Sequence, residues 1–356
     1  MNEASVPEEN VTFPEVARFE VREYCADGGF AFGSLLQLCG GLGVVGIILG
    51  AIAHFVGQYF WFILIFPALI GLGVGGAGAV LLRKLRVRNP IICSFAGLAA
   101  GVFAMTTMHY LDYRAFNDRM TGAMGAEQLD FIRQVAVNIE QFQQDRENLP
   151  EDLQLLVDDL LADPEALKVF QVNSFPAFMN YSAELGVELS HRGRKGMNLG
   201  YTGSIIYWLV EMLIVAGLGF VLMSSAAAQP FCVACHEWKK EKEYGPIPPL
   251  CNPQESLKEG RVLKYPIRGD NDPVQPGDWN VQLWTCDDCE GESGVDVILR
   301  LISIDDNKAV QYKDVEKISY PAEAVAPLVY ALTRDEPAKG ESAAAAEQEE
   351  DESQQA

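Results

Sequence analysis

Long apolar runs dominate the first third of the chain, and one more follows its middle. The runs cover residues 32–55, 60–82, 90–108 and 203–223. Each is close to the length of about 20 residues that a helix needs to cross about 30 Å of hydrocarbon. The first three contain no Asp, Glu, Lys or Arg, which is rare for helices of soluble proteins. The pattern therefore predicts an α-helical polytopic membrane protein with four transmembrane helices.

Basic residues predict how these helices are oriented. The link between the second and third runs carries no acid and four basic residues, which are Arg83, Lys84, Arg86 and Arg88. The link between the first two runs carries no charge. Because short cytoplasmic loops are enriched in Lys and Arg, the second link is predicted to lie inside. The N-terminal segment (1–30) and the region after the fourth helix are then cytoplasmic, and the compact, short-looped layout favours a bacterial inner membrane.

Glycines recur at helical spacing within the apolar runs. Gly46 and Gly50 are four residues apart, as are Gly97 and Gly101. Small residues at this spacing let helix backbones approach closely, which favours helix association in lipid. We therefore expect tight packing in the bilayer, either within one bundle or between copies of the chain.

One carboxylate lies inside an apolar run. Glu211 is eight residues into the fourth run, and His54 and His109 fall at the outer ends of the first and third runs. Intramembrane carboxylates are costly, and they usually face the bundle interior with a partner. Glu211 is therefore expected either to lock helices together by a hydrogen bond or to form a proton- or ion-responsive polar cluster with His54 and His109. A third alternative is that the span is shifted and Glu211 lies near the headgroups.

Residues 109–202, between the third and fourth runs, have the pattern of a helical domain. Apolar residues from Phe131 to Phe142 follow helical spacing. Pro150 and Pro164 are typical of first helical turns. The segment is acidic, and alternation of the spans places it outside. It is predicted to be an extracytoplasmic helical domain, either a solvated cap or a surface that binds cations or a partner.

Two C-x-x-C pairs follow the fourth run. They are Cys232 with Cys235, and Cys286 with Cys289. Each pair can supply two thiolates to one tetrahedral ion, and a shell of four cysteines leaves no open catalytic position. The arrangement resembles zinc-ribbon-type modules over residues 230–334, although ribbons usually space their pairs more closely. The resemblance implies structural zinc at these four cysteines.

Around the second pair the pattern becomes β. Residues 295–312 contain two segments rich in β-branched or aliphatic residues around a polar turn, which predicts a hairpin. Residues 245–276 are rich in Pro, Gly and charge and are predicted to be a loop. The region 230–334 is therefore predicted to be a small C-terminal zinc-stapled β domain. The acidic tail (335–356) has a composition that predicts disorder.

Two alternatives exist for the first cysteine pair. Cys232, Cys235 and His236 match C-x-x-C-H, the attachment site of c-type haem. Haem would need an oxidising compartment and a second axial ligand, and neither His nor Met follows His236 in the sequence. The other alternative is a redox-active dithiol or disulfide.

Charge and motifs narrow the function. The net charge of −22 opposes binding to nucleic acid. Neither a nucleophile–base pair, a nucleotide-binding loop nor a zinc-protease motif is evident, so an enzyme is not predicted. The first hypothesis is a non-enzymatic integral membrane scaffold or adaptor that presents the zinc module to a cytoplasmic protein partner or forms a homo-oligomer. The alternative is an ion or small-solute channel or transporter with Glu211, His54 and His109 in the path and a regulatory zinc domain.

Overall fold

The computed structural model describes residues 15–59, 64–189, 197–269, 272–289 and 293–333. It divides the chain into two compact units. Gly28–Ala228 forms the first, which we call the helical unit. The described residues before and after it form the second, which we call the β unit. The predicted disordered tail, residues 335–356, lies outside the described residues.

Nine α-helices make up most of the described part of the helical unit. They are α1 (Phe32–Gly57), α2 (Ile65–Leu85), α3 (Pro90–Met124), α4 (Ala126–Val137), α5 (Ile139–Gln144), α6 (Glu151–Ala162), α7 (Pro164–Phe170), α8 (Phe175–Leu185) and α9 (Gly200–Ala227). Four of them, α1, α2, α3 and α9, are long and apolar enough to cross a membrane. The prediction of four membrane-length helices is therefore confirmed.

Helix α3 continues well past the apolar run that predicted it. The pattern ended the third span at residue 108, whereas the helix has 35 residues and ends at Met124. It ends where Gly125 takes a positive φ of 87°, a conformation that glycine adopts without steric cost. At a rise of about 1.5 Å per residue such a helix is about 50 Å long. The domain boundary predicted at residue 109 therefore falls inside one continuous helix.

Glycines bring α1 and α9 into close contact with α3. A Cβ on Gly97 of α3 would lie 2.4 Å from the carbonyl oxygen of Gly219 in α9. A Cβ on Gly50 of α1 would lie 2.5 Å from the carbonyl oxygen of Ala104 in α3. Real Cβ atoms do not come this close to other heavy atoms, so these positions require glycine. The spaced glycines of the sequence thus lie at helix–helix contacts.

Five short helices, α4 to α8, link α3 to α9. Part of their apolar core is a cluster of five buried residues, which are Val135, Ala136, Ile139, Val157 and Leu160. A second contact is aromatic. The ring of Tyr113 on α3 lies 6.1 Å from that of Phe175 and 5.7 Å from that of Phe178 on α8, measured between centroids. The C-terminal part of α3 is therefore a packing surface for α8.

Eleven β-strands occur in the described residues. They are β1 (Glu15–Arg18), β2 (Arg22–Glu23), β3 (Glu188–Leu189), β4 (Met197–Asn198), β5 (Phe231–Cys232), β6 (Glu237–Trp238), β7 (Lys240–Ile247), β8 (Arg261–Leu263), β9 (Trp279–Thr285), β10 (Val295–Ile304) and β11 (Val310–Tyr320). Strands β3 and β4 pair with each other in the helical unit. The other strands belong to the β unit, together with helices α10 (Gln254–Lys258) and α11 (Val325–Leu332).

A five-stranded antiparallel sheet is the centre of the β unit, with the strand order β2-β11-β10-β9-β7. Strands β10 and β11 form the predicted hairpin, which extends from Ile304 opposite Val310 to Val295 opposite Tyr320. Leu328 of α11 belongs to the same buried apolar core as these strands. The unit therefore has a core of its own beside the cysteine group.

Two parts of the β unit differ from the sequence prediction. Residues 1–30 are predicted to be a separate segment, but β1 pairs with β8 and β2 pairs with β11. Phe19, between β1 and β2, packs against Tyr320 with ring centroids 6.5 Å apart. Residues 245–276, predicted to be a loop, contain α10 and β8. Pairing between strands so far apart in the chain leaves no local signal, which is why the sequence pattern does not reveal it.

Candidate functional site

The four predicted cysteine ligands meet at one point of the β unit. The Sγ atoms of Cys232, Cys235, Cys286 and Cys289 all lie within 4.8 Å of one another. Cys232 Sγ and Cys289 Sγ are 3.8 Å apart. A tetrahedral shell with Zn–S bonds of about 2.3 Å has sulfur–sulfur edges of about 3.8 Å. The group could therefore hold a single metal ion.

Each cysteine pair lies in a tight turn at the end of a strand. Strands β5 and β6 form a hairpin whose turn contains Cys235, and Cys286 follows β9 directly. The backbone N–H of Cys235 donates to Cys232 Sγ at 3.4 Å. Burial raises the pKa of Cys286, and the backbone N–H groups of Asp288 and Cys289, which donate to its sulfur, partly offset this rise. Such donors favour the thiolate, which is the form that binds metal.

The cysteines are present as thiols rather than as disulfides. All eight are unpaired, and the 3.8 Å between Cys232 and Cys289 is far longer than a sulfur–sulfur bond of about 2 Å. Ser293 Oγ lies 3.4 Å from Cys289 Sγ. Hydrogen bonding by Ser293 lowers the pKa of Cys289 to about 6.

His236 lies outside the cysteine group. It is exposed, and its backbone takes a left-handed φ of 55°. The sulfurs of Cys232 and Cys235 face Cys286 and Cys289, so the second pair fills the space that a porphyrin attached to the first would need. The geometry therefore favours a metal ion over c-type haem.

A buried ion pair joins the first cysteine hairpin to the sheet. Lys239, directly after β6, places Nζ 2.9 Å from Asp296 Oδ2 and donates to the carbonyl oxygen of Gly294 at 3.0 Å. Ser319 donates to the other carboxylate oxygen of Asp296 at 2.6 Å. Both charged side chains are less than a tenth exposed. Removal of either partner would leave a buried charge, so the pair is a strong constraint on the hairpin.

A groove of about 380 Å³ lies beside the second cysteine pair. Lys242 of β7, Leu283 of β9 and Asp287 are among the residues that line it, together with Val325 and Val329 of α11. The groove therefore combines an apolar centre with one positive and one negative side chain.

The second set of predicted residues lies in the helical unit. His54 of α1, His109 of α3 and Glu211 of α9 line one cavity of about 250 Å³. Glu211 is 1 % exposed and His54 is 8 % exposed. The structure thus brings the three residues together around one space. Their part in function stays a prediction.

Two further polar residues of this cavity escape the sequence pattern. They are Gln58 and Asp112. Gln58 is four residues after His54, and Asp112 is three residues after His109. Both lie beyond the ends that hydropathy assigned to the spans. Residues three or four apart share a helix face. Continuing the helical spacing past the end of each apolar run would therefore have placed Gln58 and Asp112 on the same faces as the two histidines.

Comparison of the chain with protein-family models, with curated proteins and with solved structures found no significant match. Function is therefore inferred from the cysteine group, the cavity and the long helices themselves.

Proposed function

We propose that the protein is a non-enzymatic integral membrane scaffold or adaptor that presents a zinc-stabilised β domain to a protein partner in the cytoplasm. The observation that carries the proposal is the meeting of both C-x-x-C pairs at one point, in the part of the β unit that follows directly after the membrane-length helix α9. Four thiolates complete a tetrahedral shell and leave no position for a substrate. A metal held in this way stabilises the domain, and the domain acts by binding.

Zinc is the metal that we assign to the four cysteines. Four thiolates in a tetrahedral arrangement suit zinc or iron. Zinc has no redox chemistry, and its thiolate sites persist in a reducing compartment where disulfides are rare. In the β unit it would stabilise the two turns that contain the cysteine pairs.

The N-terminal strands support an even number of membrane crossings. Strands β1 and β2 precede α1, whereas their partners β8 and β11 follow α9. Paired strands cannot lie on opposite sides of a bilayer, so the segment between them must return to the side on which it began. Four crossing helices satisfy this condition. The basic residues at the end of α2, Arg83 and Lys84, and those between α2 and α3, Arg86 and Arg88, favour the cytoplasm as the shared side.

The groove beside the second cysteine pair is the surface that we assign to the partner. Its apolar centre, with Leu283 and Val325, suits an aliphatic side chain of a peptide segment. Lys242 at its border suits an acidic neighbour on that segment, whereas Asp287 already pairs with Lys240 at 2.7 Å. Because Asp287 lies between Cys286 and Cys289, loss of the metal would also change this surface.

Metal analysis of the intact chain tests the zinc assignment. Protein purified in detergent under reducing conditions should contain about one zinc per chain and show no haem absorption. Cys286→Ser should lose the metal. Cys251→Ser is the matched control, because Cys251 is buried in the same unit but lies outside the cysteine group. A haem band, or equal zinc in both variants, would contradict the assignment.

Cross-linking of the intact protein in its native membrane tests the partner. A specific partner should be captured by the wild type and by Cys251→Ser, and it should be lost with Cys286→Ser. Lys242→Glu should also weaken capture, because Lys242 lines the groove and is exposed. Lys313→Glu, exposed on β11, is the charge-matched control. Capture that survives both Cys286→Ser and Lys242→Glu would contradict the scaffold proposal.

A further inference from the structure

The four cysteines of the metal group differ in their exposure to solvent. Cys232 and Cys286 are buried, with exposed fractions of 0 % and 4 %, whereas Cys235 and Cys289 are half-buried. Each C-x-x-C pair therefore places its first cysteine in the interior and its second cysteine nearer the surface. A small oxidant that reaches the group from solvent meets the second cysteine of each pair first.

A sulfur of the other pair lies close to Cys289. Cys232 Sγ is 3.8 Å from Cys289 Sγ, although the two residues are 57 positions apart in the chain. A disulfide bond is about 2 Å long, so the two sulfurs need to approach each other by roughly 2 Å. Rotation of the two side chains can cover this distance. The structure thus holds a partly exposed cysteine beside a buried one that can react with it.

A partly exposed sulfur next to a buried one suits reversible oxidation. Oxidation of an accessible thiolate gives a sulfenic acid, which a neighbouring thiol converts to a disulfide. A sulfenic acid that has no such neighbour is open to further oxidation to a sulfinic acid, which cellular thiols do not reduce. The 3.8 Å approach of Cys232 to Cys289 therefore favours a reversible product.

We propose that the cysteine group is a redox switch, in which hydrogen peroxide joins Cys232 to Cys289 and releases the metal. The switch rests on the proposed zinc site and adds its regulation. The disulfide removes two of the four thiolates, and the remaining Cys235 and Cys286 do not complete a tetrahedral shell. Asp287 follows Cys286 directly and lines the groove assigned to the partner. Binding of the partner would therefore depend on the oxidation state of the cysteines.

The reaction consumes one hydrogen peroxide for each disulfide. The Cys289 thiolate attacks one peroxide oxygen, so that an S–O bond forms, the O–O bond breaks and hydroxide leaves. The Cys232 thiolate then attacks the sulfenic sulfur, so that the S–S bond forms, the S–O bond breaks and a second hydroxide leaves. The two sulfurs lose two electrons, and peroxide gains them. Protons from solvent convert both hydroxides to water, and a cellular dithiol reverses the reaction by thiol–disulfide exchange.

Hydrogen peroxide tests the switch on the intact, reduced protein in detergent micelles, after its zinc content has been measured. Peroxide in small excess should release zinc, followed with a chromogenic chelator, at about one ion per disulfide formed. Peptide mass spectrometry without reduction should find Cys232 joined to Cys289. Dithiothreitol with added zinc should restore the metal. Zinc that stays bound, or a disulfide within either C-x-x-C pair, would overturn the proposal.

Two histidine variants compare the half-buried cysteines directly. Cys289→His and Cys235→His each leave three cysteines and one histidine, a set of ligands that also holds structural zinc. Of the two, only Cys235→His keeps the pair of sulfurs that lie 3.8 Å apart. Cys289→His should therefore release zinc under peroxide at least about tenfold more slowly than Cys235→His. Equal rates in the two variants would overturn the assignment of Cys289.

The zinc content of the reduced protein distinguishes a failed switch from a failed zinc site. Reduced protein without zinc would contradict the proposed function, whereas zinc-loaded protein that resists peroxide would overturn only the switch. Cys251→Ser is the control for other thiols, because Cys251 is buried in the same unit outside the cysteine group. It should leave zinc release and the mapped disulfide unchanged, and loss of either would overturn the assigned pair. If a histidine variant binds no zinc, the disulfide mapped in the wild type decides the question.

Discussion

The helical unit and the β unit are stabilised in different ways. In the helical unit, long apolar helices meet at glycines, and Gly97 approaches the backbone at Gly219. In the β unit, strands from both ends of the chain share one apolar core, and four cysteines form a separate group. Each long helix satisfies its own backbone hydrogen bonds, whereas each strand depends on a distant partner. Local damage should therefore weaken the helical unit gradually and the β unit cooperatively.

Metal removal should produce the largest difference in stability between the two units. A thiol-competing chelator, or Cys286→Ser, should unfold the β unit, because structural zinc contributes about 10–16 kcal/mol of apparent binding free energy in small zinc domains. The helical signal in far-UV circular dichroism should largely persist. Limited proteolysis with mass spectrometry should find new cuts in residues 229–333 and not in α1 to α3. Cuts spread over both units would show that they unfold together.

Breaking the buried ion pair should have the next largest effect. Asp296→Ala leaves Lys239 without its carboxylate, and the free energy of unfolding of the β unit should fall by about 3–5 kcal/mol. The measurement is maleimide labelling of the buried Cys251 in urea, located by mass spectrometry. Lys317→Ala removes an exposed ion pair with Asp314 and should cost less than about 1 kcal/mol. Similar losses in both variants would contradict a special role for the buried pair.

A methyl group on Gly97 should disturb the helical unit alone. The Cβ of Gly97→Ala would lie 2.4 Å from the carbonyl oxygen of Gly219, and overpacking of this kind costs about 1–3 kcal/mol. Thermal unfolding followed by circular dichroism should show the loss. Gly217→Ala is the control, since its Cβ meets no heavy atom within 4 Å. Equal unfolding temperatures of the two variants would argue against backbone contact between α3 and α9.

The smallest expected effect concerns the N-terminal strands. Phe19→Ala removes the edge-to-face contact with Tyr320 and should destabilise the β unit by about 1–2 kcal/mol. Labelling of Cys251 in urea is again the measurement. Val16→Ala, on the exposed side of β1, should change stability by less than about 0.5 kcal/mol. If Phe19→Ala had no effect, the N-terminal strands would contribute little to the fold of this unit.

The sequence predicts the helical unit well because its signals are local. An apolar run identifies each long helix, and a glycine spacing identifies contacts such as that of Gly97. The ends of the helices are less predictable, because α3 continues as a helix through the polar residues after 108. The sequence pattern misses Asp112 for this reason, although its carboxylate lies 2.6 Å from His54 Nδ1.

The β unit is predictable only where its signals are close together in the chain. The C-x-x-C spacing identifies the four cysteines that meet, and the polar turn identifies the β10–β11 hairpin. The pair of Lys239 with Asp296 and the pairing of Arg22 with Ser319 join distant residues. No sequence motif or residue spacing marks either of these pairings, so a single sequence does not predict them.

The pairing of β2 with β11 also affects how long the N-terminal strands stay unpaired during synthesis of the chain. Arg22 pairs with Ser319, about 300 residues later, which is roughly 15–60 s of synthesis at about 5–20 residues per second. Until β8 and β11 emerge, the backbone edges of their partners β1 and β2 are open to strands of other chains. Their exposed charges, among them Arg18, Arg22 and Glu23, oppose such pairing. These charges therefore protect the nascent chain from aggregation until its own last strand arrives.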